Sequence, residues 1–596
     1  MRQFFKFVFA SCLGSLLALA LLVFIIIGFG AGMASKNLSG RSSKTVEENT
    51  VLKLTIPAEL PEQTNNTPVR QISFDNDVTI GIHDFAKAIK AAASDPKIKG
   101  IYLTDPAGSH GYASLHVIRD AMLEFKKSGK FIYCFSKFMD QNSYYLASIA
   151  DKIYMHPLGF TDLKGFQVAI PFYKELMEKI GLKFNIYYAG QFKSATEPFR
   201  LEKMSEQNRV QLSEFLHDRF DTYLEEVSDA RNMPQEELKK ILDQYLASSP
   251  EKAKDLKLID SLAYETDIIT AMKSSMGIQD DQKIQLVSVN SYFDNVKDKD
   301  TDFGATNRIA VLYAEGDITD ANGEEGEIGR NYLKTIREIR KNNSIKALVL
   351  RVNSRGGSAI QSDEMLKELD LLKNAGKPVV VSMGDYAASG GYYISCHADS
   401  IFADKHTLTG SIGVFAMIPD VSTMLDKKIG VDFDTISTGP MAAKFNPTFP
   451  WGKAEGDIIQ NNIDHTYDTF LGVVAGGRNK SKDEIHAIAQ GRIWSARQAE
   501  KNGLISKTGS LEDAIVCAAR MASLDRYRTS EYPTRKDAIT RIIDKIQGND
   551  NETKSKLSET VLKASLGEYY IYYSELMNLK KNSGIQMKMI YPVEIR

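Results

Sequence analysis

At 596 residues the chain exceeds what one hydrophobic core can organise, and its length alone calls for several domains. Its 74 basic and 76 acidic side chains nearly cancel, which leaves no basic stripe to argue for nucleic acid. Four scattered cysteines, Cys12, Cys134, Cys396 and Cys517, match no zinc-ligand spacing and read as buried thiols, not as a disulfide framework.

From Phe7 to Met33 no charged side chain occurs, and Arg2 and Lys6 precede the stretch. About 20 apolar residues cross a bilayer, so residues 1–33 read as a signal-anchor transmembrane segment. A cleaved signal peptide is the rival, with an apolar core of about 7–15 residues and a small-residue cleavage site that is not evident here. Basic residues ahead of the span keep the N-terminus cytoplasmic and put everything after Ser35 on the far side. In a bacterium that describes a single-pass inner-membrane protein with an extracytoplasmic body. Residues 34–50 form a polar linker.

A first repeat, 51–297, opens with a strand at 51–54 and carries helical stretches at 208–227 and 235–246. A charged connector at 298–304 leads to a second repeat, 309–530. There the pattern predicts strands at 309–313, 347–352, 379–382 and 400–403, with helices at 361–374, 390–397, 456–474 and 483–490. Short apolar strands alternating with helices predict parallel βαβ units and an α/β fold. Residues 531–596 are a C-terminal extension with a helix, a polar loop at 548–556 and a terminal strand at 587–591.

The two repeats are versions of one pattern. Ile98-Lys99-Gly100-Ile101-Tyr102-Leu103 returns as Ile345-Lys346-Ala347-Leu348-Val349-Leu350, and Tyr144-Tyr145-Leu146 returns as Tyr392-Tyr393-Ile394. The offset is about 247 residues, and a reactive residue present in only one copy stands out against the shared core. Ser389 falls opposite Gln141, and Lys193 falls opposite Ala442. That asymmetry reads as one active site split between two repeats.

Ser389 lies in Gly384-Asp385-Tyr386-Ala387-Ala388-Ser389-Gly390-Gly391-Tyr392, where a strand ends and a helix begins. Small neighbours leave its hydroxyl open to an acyl group, and free backbone N–H groups there can hold an oxyanion. Asn353-Ser354-Arg355-Gly356-Gly357-Ser358 follows another strand and can supply a second oxyanion donor; its counterpart, 105–110, lacks the glycine pair. Serine requires a base. His397 and His406 show no evident acidic partner in the sequence, so a lysine kept neutral by burial is the candidate. Lys193, in a loop of aromatic and small residues, fits the asymmetry; Lys444, two residues from Ala442, is the rival.

These motifs, together with Thr409-Gly410-Ser411-Ile412-Gly413-Val414 and Phe192-Lys193-Ser194-Ala195-Thr196-Glu197-Pro198-Phe199, resemble the long, two-repeat form of the SppA signal peptide peptidases. The resemblance runs from the anchor to about residue 520. It implies a tandem pair of Clp protease/crotonase-like domains and a membrane-anchored serine protease. It implies Ser389 as nucleophile, Lys193 as general base and Ser411 as the residue orienting the lysine amine. It further implies backbone N–H groups of Gly390 and of Gly356 or Gly357 as the oxyanion hole. Neither a cofactor nor a metal is called for. Signal peptides and other apolar peptides are the implied substrates, and a ring, usually a tetramer, is the implied assembly, with the dyad formed within or between chains. Arg355 stands where the family commonly has proline, which bears on turn geometry and subsite preference. Two other readings are open at this stage: an acyl-CoA enzyme on the same fold, and a membrane-anchored scaffold that binds peptides without cleaving them.

Overall fold

Runs such as IKGIYLT and IKALVLRVNS are buried along nearly their whole length, which suits central strands covered on both faces. The computed structural model describes residues 46–66, 79–106, 110–279, 281–299, 301–323, 326–535 and 585–589. The expected anchor, Cys12, most of the linker and most of the C-terminal extension lie outside the described residues. No helix among the described residues is long and apolar enough to cross a membrane.

The first repeat contributes β1 (Thr50–Leu54), β2 (Ile98–Thr104), β3 (Phe131–Asp140), β4 (Lys152–Asp162), β5 (Lys183–Ala189), β6 (Ser261–Leu262) and β7 (Gln285–Ser288). All but β5 form one parallel sheet in the order β6-β4-β3-β2-β1-β7. The second repeat contributes β8 (Arg308–Glu315), β9 (Asp317–Ile318), β10 (Glu327–Ile328), β11 (Ile345–Ser354), β12 (Gly356–Ser358), β13 (Val379–Ala388) and β14 (Ser400–Ala403). It continues with β15 (Leu408–Gly410), β16 (Val414–Asp420), β17 (Ile493–Ser495), β18 (Lys507–Thr508) and β19 (Arg528–Tyr532). Here β18-β14-β13-β11-β8-β19 repeats the order of the first sheet, and the far end of β13 also pairs with β15, which pairs with β17.

The copies share bonds as well as topology. Tyr144 donates to the Leu258 carbonyl at 2.8 Å, and Tyr392 donates to the Leu504 carbonyl at 2.8 Å. Asp151 accepts from the Ile132 amide at 2.8 Å, and Asp399 accepts from the Val379 amide at 2.8 Å. Each sheet has its own apolar core, with Leu103, Ile132 and Ile153 in the first and Leu350, Val381 and Ile401 in the second. Full burial of each such side chain is worth about 1.5–3 kcal/mol.

A third sheet joins the halves. Its order is β10-β9-β12-β20-β16-β5, where β20 is Ile585–Lys588 near the C-terminus. β5 leaves its own repeat and pairs antiparallel with β16, from Ala189 opposite Val414 to Lys183 opposite Asp420. Three expectations need correction. The helix after Ser389 spans only Gly390–Tyr393, because Ser395 and its neighbours leave the helix in a turn. β13 runs on to Ala388, well beyond residue 382, because β15 pairs with its far end. The terminal strand starts at Ile585, two residues before the expected Met587, since Ile585 and Gln586 find partners on β16.

Candidate active site

Ser389 sits where β13 gives way to the Gly390–Tyr393 helix, with φ 55° and ψ −114°. That conformation costs a non-glycine residue about 1–3 kcal/mol and persists only where its surroundings enforce it. The enforcement is visible: the Ser389 amide donates to the Gly410 carbonyl at 2.8 Å, and the Ser389 carbonyl accepts from the Tyr393 amide at 2.8 Å. The Gly390 helix has only four residues, so its dipole is short and individual amides are the donors that matter.

The Gly356–Ser358 strand closes on this turn. Gly356 has φ +94°, and a Cβ on it would lie 2.6 Å from the Gly390 amide nitrogen. Only glycine permits both the conformation and the approach. Gly356, Gly357 and Gly390 therefore bring bare backbone together beside Ser389, with the Met587 carbonyl oxygen against Gly356 and Gly390.

Lys193 arrives from the other repeat. The β5–β16 ladder ends at Ala189, and the chain then turns through Gly190 to Lys193, whose amide donates to the Gly190 carbonyl at 3.1 Å. The Phe192 amide donates to the Gln490 carbonyl at 2.8 Å. At Gly491, φ is +80° and a Cβ would fall 2.6 Å from the Lys193 Cα, so the lysine loop rests on bare backbone. Lys193 Nζ lies 2.9 Å from Ser389 Oγ, 3.1 Å from Ser411 Oγ and 3.2 Å from the Ser411 carbonyl oxygen. All three residues are buried, Lys193 to 1% exposure. Burial pushes the Lys193 amine down to about 7 from an ordinary 10.5, because a charged ammonium there loses its hydration. A neutral amine facing a serine hydroxyl is a proton acceptor at neutral pH.

One chain thus brings together Ser389, Lys193, Ser411, Gly390, Gly356 and Gly357. Lys444 is elsewhere engaged, 2.7 Å from the Glu455 carboxylate. At the first-repeat position opposite Ser389, Gln141 accepts from the Lys164 amide at 3.0 Å, a structural bond. The histidines do have acidic partners, contrary to the sequence reading. His397 Nδ1 is 3.0 Å from Asp370, and His406 Nε2 is 3.0 Å from Glu226. Both pairs bring together residues far apart in sequence.

Sequence reasoning missed the groups that hold the lysine loop. Gln211 donates to the Phe192 carbonyl at 3.1 Å and to Ser194 Oγ at 3.0 Å, while its oxygen accepts from the Ile493 amide at 3.1 Å. The Ser411 amide donates to the Arg492 carbonyl at 2.7 Å. It also missed what lies alongside. β20 fills the slot between β12 and β16, with Gly356 opposite Lys588 and Gly357 opposite Met587. The Met589 amide donates to the Arg355 carbonyl at 2.9 Å. The Met589 side chain enters an apolar pocket of Leu212, Phe215, Ala388, Leu408 and Ile493, next to Lys193 and Ser411.

The family model described as Peptidase family S49 matches residues 124–279 and 371–525, one region in each repeat. Protease 4 of Haemophilus influenzae is 35% identical over 453 residues, 74% of this chain and 73% of that protein. The chain belongs to peptidase family S49. Further relatives are similar over most of the chain: Protease 4 of Salmonella typhi is 34% identical over 81% of this chain and 79% of its own. The chloroplastic serine protease SPPA of Arabidopsis thaliana is 33% identical over 73% of this chain and 64% of its own. As a member of S49 the chain is a serine protease.

Proposed function

We propose that this S49 chain hydrolyses peptides through a Ser389/Lys193 dyad contributed by its two repeats. The observation that carries the reading is the 2.9 Å approach of Lys193 Nζ to Ser389 Oγ inside one buried site. Neutral Lys193 takes the hydroxyl proton as Ser389 Oγ attacks the peptide carbonyl carbon. Amides of Gly390 and of Gly356 or Gly357 hold the oxyanion. Protonated Lys193 gives its proton to the leaving amine as the C–N bond breaks, leaving an acyl-serine ester. Water then loses a proton to Lys193 as its oxygen attacks the ester carbonyl, and Lys193 passes that proton to Ser389 Oγ as the acyl C–O bond breaks, which releases the acid and restores Ser389 and the neutral amine. Ser411 keeps the lysine amine aimed at Ser389.

The slot between β12 and β16 supports an extended peptide as ligand, since both flanking strands offer main-chain partners. The reading extends to signal peptides and similar apolar peptides as substrates, and to residues 1–33 as an anchor holding an extracytoplasmic body at the bacterial inner membrane. It also includes a homotetramer, a tandem pair of Clp/crotonase-like domains at 51–297 and 309–530, and chemistry without metal or cofactor.

The test is labelling of the full-length protein, in detergent, by a fluorophosphonate probe. Wild type and Lys444→Ala should label; Ser389→Ala and Lys193→Ala should not. Labelling lost in Lys444→Ala but kept in Lys193→Ala would move the base into the second repeat. A folded wild type that does not label would leave the peptide-binding scaffold.

A further inference from the structure

The polypeptide that fills the slot beside Ser389 is the chain's own, and its side chains report what the slot accepts. Successive residues of a strand face opposite ways. Met587 and Met589 are turned into apolar surroundings, and Lys588 between them is turned away from these. Lys588 is nevertheless only 4% exposed. A lysine buried that far is costly unless its ammonium finds an opposite charge. It finds Asp317, with Nζ 2.7 Å from the carboxylate Oδ2.

Asp317 is well placed to serve any peptide that takes this path. It begins β9, which lies directly outside β12, where Ile318 pairs with Gly357. β12 therefore separates Asp317 from β20, but the residue of β12 opposite Lys588 is Gly356, which has no side chain to block the crossing. The Asp317 side chain keeps 34% exposure, so its carboxylate is reachable from the solvent side. Arg355 Nη2 lies 4.0 Å from the other oxygen, Oδ1, so Lys588 makes the shorter ion pair.

We infer that Asp317 is a specificity-determining residue, forming a subsite for a basic side chain in an extended peptide paired with β12. This deepens, and rests on, the peptidase reading above. The preferred peptide carries Lys or Arg where Lys588 lies, with apolar residues on either side, as in Met587-Lys588-Met589. Main-chain pairing with β12 and β16 supplies affinity without regard to sequence, and the charge facing Asp317 supplies the discrimination. The chain's own tail competes equally against all external peptides, so it lowers every rate and leaves their ratios intact.

The test uses the full-length protein in detergent and internally quenched peptides Ser-Gly-Ile-Gln-Met-X-Met-Ile-Tyr, where X is Lys, Gln or Glu. Wild type should cleave the Lys peptide with a kcat/KM at least about 10-fold above the Glu peptide, with Gln between them. The isosteric Asp317→Asn should bring the three within about 2-fold of one another, and Asp317→Lys should reverse the order. Equal rates in wild type, or a preference that survives Asp317→Asn, would overturn the assignment. Fluorophosphonate labelling run in parallel separates the two readings. A protein that labels but does not discriminate retires the Asp317 subsite and leaves the peptidase intact. In a protein that neither labels nor cleaves, the peptidase reading fails. The affinities of fluorescent versions of the same three peptides, measured by anisotropy, then decide the subsite by the same ratios.

Discussion

An ammonium ion withdrawn from water into a protein interior gives up its hydration, and hydroxyl and carbonyl oxygens return only part of it. Lys193 meets this situation, since its amine neighbours are Ser389 Oγ, Ser411 Oγ and the Ser411 carbonyl. The same burial that lowers its pKa also makes it a stability burden. Its folded pKa of about 7 lies below the ordinary 10.5, so the unfolded chain binds more protons between those values. Stability attached to this residue is complete above 10.5 and falls by roughly 1.4 kcal/mol per pH unit as pH drops towards 7. Below about 7 the full burden is present. Lys193→Met, which keeps the volume and removes the charge, should therefore raise Tm more at pH 5 than at pH 10, while abolishing fluorophosphonate labelling at both. Thermal melts of wild type and variant across that range check it. An increment in Tm that does not depend on pH would mean the amine is solvated.

The lysine is delivered by an element, the β5–β16 ladder, and the strength of that ladder can be tested strand by strand. The Tyr188 carbonyl accepts from Gln460 at 3.3 Å, on the side of β5 away from β16. Backbone N–H and C=O groups of one strand residue point the same way, so the neighbouring Tyr187 faces β16, opposite Ala416. Proline lacks the donor, and in a paired position it breaks the ladder. Tyr187→Pro should cut the labelling rate at Ser389 by about 100-fold or more, the scale expected from a misplaced catalytic group. Tyr188→Pro should cost far less, and far-UV circular dichroism should stay near wild type in both. Equal loss in the two variants would show that the loop 190–193, not the ladder register, positions the lysine.

This ladder also marks where the sequence stops being readable. Strands inside each repeat announce themselves as short apolar runs, and the repeat itself supplies a comparison that draws the eye to Ser389 and Lys193. Nothing local in Lys183–Ala189 says that it will abandon its own sheet for a strand more than 200 positions away, because pairing partners leave no mark on each other's periodicity. His397 and Asp370 were unmatched for the same reason, as was the entry of Ile585–Lys588 into the slot beside β12. Gly491 carries no signal in the sequence, since its reason for being glycine is the Lys193 backbone lying against it.

At the scale of the whole molecule, a site divided between two repeats needs the repeats locked in one relative orientation, and polar groups buried between them do part of that work. Asp385 accepts from the Ala113 amide at 2.9 Å, and His116 Nδ1 lies 2.6 Å from Asp404. A two-pronged tie joins Glu62 to Arg351: Arg351 Nε is 2.9 Å from one carboxylate oxygen and Nη2 is 3.2 Å from the other, with both residues 3% exposed. Burial alone would raise the Glu62 carboxyl, but the Arg351 guanidinium and His83 outweigh it and hold the group near 2. Glu62 thus stays ionised throughout the neutral range, and its contribution to stability is full above about 4.5 and is lost as pH falls from there through about 2. Removing one partner strands the other charge. Arg351→Met should destabilise the protein by about 3–5 kcal/mol at pH 7, whereas Glu62→Gln combined with Arg351→Met should recover much of the loss, since paired removal leaves no buried charge. If the tie sets orientation as well as stability, Arg351→Met should also slow labelling of Ser389 at temperatures where the protein remains folded, and the double variant should not restore that rate along with its Tm. Denaturant titration together with labelling kinetics on the three variants separates the two effects. Rates that track stability alone would make the pair a structural rivet with no say in how Lys193 meets Ser389.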